Sequence, residues 1–175
     1  MTKLSDLISE HLFADSQAKV FAVLDGASVP SLLEHLAPHT PEYECLYRGE
    51  LKPDVAAAAP YLVHLKADSD LTNWVIEQGW GKHWGVFAIC QAELPVMRRH
   101  FRSFLLVHDS EGKALYFRYY DPRVLRTHLP TCNAEELATM FGPVSAYVME
   151  SEKPAVLMQF RLNGGDLVSE AKPLE

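Results

Sequence analysis

Two places in this chain have residues of the types that do catalytic chemistry. Asp121, His128 and Cys132 offer an acid, a base and a thiol in one short stretch. A cysteine nucleophile needs a base within hydrogen-bond reach and a group that orients the base. These three are strung along one helix and its exit, and no nucleophile signature surrounds them. Asp25 ends the apolar run Val20-Phe21-Ala22-Val23-Leu24 and is followed by Gly26. An acid at a strand end is where α/β enzymes place catalytic groups, and Asp-Gly is equally an ordinary turn. A small enzyme using Asp25 or the Asp121, His128 and Cys132 region is therefore one expectation.

Binding chemistry has its own candidates. Arg98, Arg99, His100 and Arg102 form a basic run on a helix whose other side is apolar. Such a face suits an acidic partner, with electrostatic steering of the encounter, or an anion whose binding would fall with salt. Trp80 and Trp84 lie in a loop with Gly79, Gly81 and Gly85, and exposed tryptophans anchor interfaces. His35 and His39 have metal-ligand spacing, but Pro38 between them breaks the helical face. Walker, dinucleotide-binding and GxSxG fingerprints are missing. The expectation is no metal and no cofactor.

The elements that position these residues follow from periodicity. Leu4, Leu7, Ile8 and Leu12 mark a first helix, and Val20 to Leu24 a strand. Pro30 and Ser31 open a short helix through Leu36; Tyr43–Tyr47 and Tyr61–Leu65 read as strands. Asp70 is read as the cap of a helix to about Glu77, followed by a strand from Trp84 to Cys90. Pro95 starts a helix with Leu94, Met97, Phe101 and Phe104 on one face. A hairpin loop at Asp109–Lys113 joins a strand at Leu105–Val107 to one at Leu115–Tyr120. Asn133 with Glu136 forms a capping box for a helix through Phe141, and two strands follow, Val144–Met149 and Ala155–Leu162. The pattern predicts a single α/β domain over residues 1–165, with a mixed sheet flanked by helices and a small N-terminal lobe bounded near residues 48–60. Residues 166–175 read as a loose tail.

The most distinctive stretch is Phe117-Arg118-Tyr119-Tyr120-Asp121-Pro122-Arg123-Val124-Leu125. As a strand, it sets Arg118 between Tyr116 and Tyr120 on one face, where cation–π contact would hold the guanidinium. Asp121 is placed as an N-cap, Pro122 at the first helical position and His128 in the last turn. Arg123 alone lacks a structural reason. Arg118 and Arg123 thus join Trp80, Trp84, Arg99 and Arg102 as candidate partner-contact residues.

Composition bounds the class. The chain has 175 residues and a formal net charge of −7. A nucleic-acid binder leans basic, so nucleic acid is not the expected partner. Cys45, Cys90 and Cys132 are widely spaced and odd in number, which fits reduced thiols. No apolar window reaches the ~20 residues of a membrane span and the N-terminus lacks a signal-peptide core, so a cytoplasmic location and no membrane contact are expected.

The order of several pieces resembles the type VI secretion effector adaptors, also called effector chaperones. These pieces are Ala22-Val23-Leu24-Asp25-Gly26-Ala27, Ser31-Leu32-Leu33, Ala59-Pro60-Tyr61-Leu62-Val63, and Leu94 with Arg99-His100-Phe101-Arg102. The last is Phe117–Leu125 with Leu129-Pro130. The resemblance covers residues 20–142. It implies a non-catalytic bacterial cytoplasmic protein without a cofactor. Such a protein binds a toxic effector and helps load it onto the spike protein, VgrG, of the secretion apparatus. The resemblance assigns no contact residues.

Overall fold

The computed structural model describes residues 3–39 and 42–175. Its centre is β1 (Lys19–Asp25), which is buried from Val20 onward. An apolar run without alternation belongs to a strand covered on both faces, and β1 is such a strand. Phe21 and Val23 enter one core; Val20, Ala22 and Leu24 enter another on the opposite face.

Seven strands form the main sheet, in the order β2 (Tyr43–Cys45), β3 (Pro60–Leu65), β1, β4 (Gly85–Cys90), β7 (Val144–Glu150), β8 (Val156–Asn163) and β9 (Asp166–Pro173). Every adjacent pair is antiparallel. The expected mixed sheet is thus corrected to an antiparallel one, while the single α/β domain with flanking helices stands. A separate hairpin pairs β5 (Leu106–His108) with β6 (Ala114–Tyr116).

One core lies beneath α5 (Leu94–Ser103), α6 (Pro122–His128) and α7 (Ala134–Phe141), and gathers Met97, Phe101, Leu125, Leu137, Met140 and Phe141 against the sheet. The other lies beneath α1 (Leu4–Leu12), α2 (Leu32–Leu36) and α4 (Asp70–Gly79), with Ile8, Leu12, Leu32, Leu36, Val75 and Ile76 buried. Between β2 and β3 runs the short helix α3 (Pro53–Ala58).

Three expectations give way. No lobe boundary falls at residues 48–60, because β1, from the N-terminal part, pairs along its length with both β3 and β4. Residues 166–173 form β9, paired with β8 from Asn163↔Asp166 to Val156↔Pro173. The Gly164-Gly165 turn joining them has φ of 58° and 91°, the positive values that two-residue hairpin turns require. The α4 cap is Ser69, whose hydroxyl accepts from the Thr72 N–H at 3.2 Å, and Asp70 is the first helical residue.

Close approach explains the glycines beside β1. A Cβ on Gly85 would stand 2.1 Å from the Val23 carbonyl oxygen, and one on Gly26 would stand 2.5 Å from the Ala57 and Ala59 oxygens. Backbone atoms cannot yield as a side-chain tip does. Gly85→Ala is expected to cost about 1–3 kcal/mol through overpacking, read from urea unfolding; a wild-type midpoint would refute the close packing of β4 on β1.

Candidate functional site

The Phe117–Leu125 stretch is a joint built in two parts. The strand ends at Tyr116, and Arg118–Tyr120 form a turn closed by the Asp121 N–H donating to the Arg118 carbonyl at 3.1 Å. Leaving the strand changes which residues share a face. Tyr119 and Tyr120 are both buried, 0% and 3% exposed. Tyr119 stacks on Phe101 at 5.7 Å and donates its hydroxyl to the Phe101 carbonyl at 2.9 Å. Tyr116 points elsewhere, is 61% exposed, and leans on Tyr47 at 5.2 Å. Of the two expected cation–π partners, Arg118 keeps Tyr120, with its guanidinium 6.0 Å from the ring centre.

Arg118 also has a partner that sequence reasoning missed. Its Nη2 donates to Asp25 Oδ2 at 2.5 Å. Asp25 is 2% exposed, and its carboxylate also accepts from the Ala27 N–H at 3.0 Å and the Ser28 hydroxyl at 2.8 Å. A buried carboxylate costs several kcal/mol unless charge and hydrogen bonds satisfy it. Here one arginine, one amide and one hydroxyl do so. Burial opposes the charge on Arg118, but the Asp25 carboxylate outweighs it and holds the guanidinium above its ordinary range. Asp25 is therefore a buried acid held by three donors in this arrangement.

Asp121 is the helix cap. Its Oδ1 accepts from the Arg123 N–H at 2.9 Å and from Arg123 Nε at 3.0 Å, while Oδ2 accepts from Nη2 at 2.7 Å. Burial tends to raise this carboxyl, but the hydrogen bonds from Arg123 prevail and hold it below the usual range. Arg123, exposed at 55% of its side chain, thus has a structural reason. His128 ends α6 with its ring against Phe117 at 4.8 Å. The Cys132 thiol donates to the His128 carbonyl at 3.5 Å, and burial followed by the Glu136 charge pushes its pKa up. The three residues of the nucleophile set are thus separately engaged, and the thiol shifts away from the activated form.

The structure also disperses the basic run. Arg98 pairs with Glu44 at 2.8 Å. Arg102 gives Nη2 to the Cys45 and Tyr47 carbonyls at 2.7 and 3.5 Å, and Nε to Leu46 at 3.2 Å. Arg99 is exposed and has no carboxylate partner among the described residues. His100 turns inward between Phe101 and Phe104, both at 5.0 Å, with Nε2 3.1 Å from the Met140 carbonyl. Burial lowers its pKa to about 4.

The tryptophan pair separates too. Trp84 is 7% exposed, packed 4.9 Å from Trp74, so its expected role as a surface anchor is corrected to a core role. Trp80 is half-buried over Phe87 and donates Nε1 to the Pro154 carbonyl at 2.7 Å. The loop between them is gripped by Glu150, itself 4% exposed, which accepts from the Gly81 and His83 N–H groups at 2.5 and 2.9 Å. The His83 ring Nδ1 lies 2.5 Å from the same carboxylate without hydrogen-bond alignment. Sequence reading missed Glu150, whose only signal was an acid at the end of an apolar strand.

The exposed apolar surface lies instead on the β5–β6 hairpin. Leu106 (49% exposed) opposes Tyr116 on one face, and Val107 (39%) opposes Leu115 (42%) on the other. Beside the first face runs a groove of about 270 Å³, and beside the second, against α7, one of about 730 Å³. Among the described residues, no three of His, Cys, Asp and Glu are grouped to hold a metal, and no helix is long and apolar enough to cross a membrane.

Three outcomes check this account. Arg118→Ala leaves the Asp25 carboxylate short of one charged partner, and a loss of about 1–3 kcal/mol is expected; a double-mutant cycle with Asp25→Asn should give coupling of about 1 kcal/mol, and additive losses would refute the pair. Asp121→Ala removes the cap and should cost about 0.5–2 kcal/mol in thermal melts. Neutral His100 is favoured by the fold, so the unfolded chain binds more protons below its ordinary pKa of 6.5. Stability should therefore fall as pH drops from 6.5 toward about 4, with His11 and His64, also lowered chiefly by burial, adding to it. His100→Gln should flatten this slope, and parallel profiles would show that His100 is not its source.

The family model for the domain of unknown function DUF4123 matches residues 20–139. Searches of curated proteins and of solved structures return no match. The matched span holds both ends of the Asp25–Arg118 bridge and the exposed hairpin, and on the strength of a match covering most of its length, the chain belongs to the DUF4123 family.

Proposed function

We propose that this protein is a non-catalytic adaptor of the bacterial cytoplasm. It binds a type VI secretion effector and helps load that effector onto the VgrG spike. The observation that carries the reading is the β5–β6 hairpin, which leaves four large apolar side chains open on both of its faces. Contiguous exposed apolar surface of this kind marks a place where another macromolecule docks.

The chemistry of the candidate reactive groups supports the same reading. Asp25 and Asp121 are each held by an arginine and a backbone N–H, Asp25 also by the Ser28 hydroxyl, and the Cys132 thiol is shifted toward its protonated form. The likeness of the motifs to effector adaptors supplies the kind of partner.

Co-expression with the effector and spike proteins encoded beside it, followed by affinity capture, is the test. A stable complex with the effector is expected, and it should weaken when Leu115 and Val107 are both replaced by serine. A properly folded chain that forms no complex with either protein would overturn the adaptor role.

A further inference from the structure

The groove on the Leu106 and Tyr116 face combines apolar walls with cations that lack carboxylates. Leu51, Val55, Leu106 and Tyr116 line it together with Arg48 and Arg102. No acidic residue lines it; Glu50 and Asp54 belong to the adjoining segment but stand outside the lining.

The two arginines are unneutralised for different reasons. Arg48 is exposed and meets no carboxylate among the described residues. Arg102 is tied down by three backbone carbonyls, through Nε and Nη2. A guanidinium has five N–H donors in a fixed fork, and the Arg102 bonds to described residues come from Nε and Nη2, leaving the two donors on Nη1 without an acceptor among them. Carbonyl dipoles orient this cation without cancelling its charge. In a chain of net charge −7, a groove with two uncompensated cations is a local reversal of sign, and these two cations would turn basic partners away from the groove itself.

The walls are held in place before anything binds. Tyr116 rests on Tyr47 at 5.2 Å despite its exposure. The hairpin is tied at its base by the Phe117 N–H donating to the Leu105 carbonyl at 2.7 Å. A preformed aromatic wall beside an oriented guanidinium binds an apolar side chain and a carboxylate together, and both interactions lose little entropy.

We infer that this groove takes a segment of a partner protein that places an apolar side chain against Leu51 and Tyr116 and a carboxylate against Arg48 and Arg102. The inference rests on the adaptor reading for the kind of partner, and deepens it by assigning the surface and the chemistry recognised there.

A random twelve-residue peptide library displayed on phage, panned against the full-length chain, tests it without knowledge of the natural partner. Selected peptides should be enriched in Asp or Glu next to Leu, Ile or Phe. Synthetic copies should bind by fluorescence anisotropy, weakening as salt rises. Arg48→Glu and Tyr116→Ser alter exposed side chains and leave the core intact, and each should weaken binding by about tenfold or more. An empty selection overturns the inference, as do peptides without acidic enrichment, or peptides that bind both variants as well as the parent chain. If sedimentation velocity shows self-association that Tyr116→Ser abolishes, a second copy occupies the groove and the proposed occupant is wrong. The two readings fail separately. Loss of all effector and spike complexes removes the adaptor role, whereas complexes indifferent to Arg48→Glu and Tyr116→Ser remove only this groove.

Discussion

The bridge from Asp25 to Arg118 is the constraint on which the arrangement of this protein turns. Asp25 closes the central strand, and Arg118 sits in the turn that leads from the hairpin into α6. A carboxylate at 2% exposure is tolerable only with compensation. The position of that turn is therefore tied to the end of β1. Once Arg118 is fixed, Tyr119 and Tyr120 on its C-terminal side have one place to go, and both enter the core beneath α5 and α6. Asp121 then starts α6 through its own cap. The sheet, the turn and the helix are positioned in sequence by one buried acid and its partner.

Glu150 repeats the device at the end of β7. It is 4% exposed, and it holds the loop before β4 by two backbone N–H groups. In both places an acid at a strand end serves to dock an irregular segment. That role resembles a catalytic acid when only residue type and strand position are considered. A general acid or base must be within reach of a substrate; these carboxylates are 2% and 4% exposed and accept hydrogen bonds from the protein itself.

How much of this could be read along the chain depends on range. The Asp121 cap, Pro122 at the start of α6 and the Asn133–Glu136 capping box are interactions over two or three residues, and each stands where local chemistry predicts it. The Asp25–Arg118 pair joins residues 93 apart, and no periodicity reports such a contact. Trp84 shows another limit. Its glycine-rich flanks suggest a surface loop, yet Gly79 leaves the space in which the Trp84 ring lies, since a Cβ there would meet it at 2.6 Å. The glycines mark close packing here and not exposure. In β9 the polar sequence of an edge strand, with Asp166, Ser169, Glu170 and Lys172, masks ordinary pairing. Edge strands carry charge because it discourages further pairing, so a strand in this position lacks the apolar run by which the central strands are read.

The bridge also bears on the exposed hairpin. Apolar side chains on a mobile loop would lose much of their binding free energy to ordering, whereas the same side chains on a fixed base lose little. The hairpin's second strand runs directly into the turn that carries Arg118, and its base is closed by the Phe117–Leu105 hydrogen bond. Phe117 also packs against Tyr119 at 6.0 Å and His128 at 4.8 Å. Among the described residues, the most exposed large apolar side chains, Leu106 and Tyr116, are next in sequence to Leu105 and Phe117, whose backbone groups close the hairpin base. This places Phe117–Leu125 in a double role: its buried half secures the fold, and the security passes to the hairpin that precedes it. A structural joint can serve the proposed docking surface in this way, by fixing the base of the hairpin that carries it.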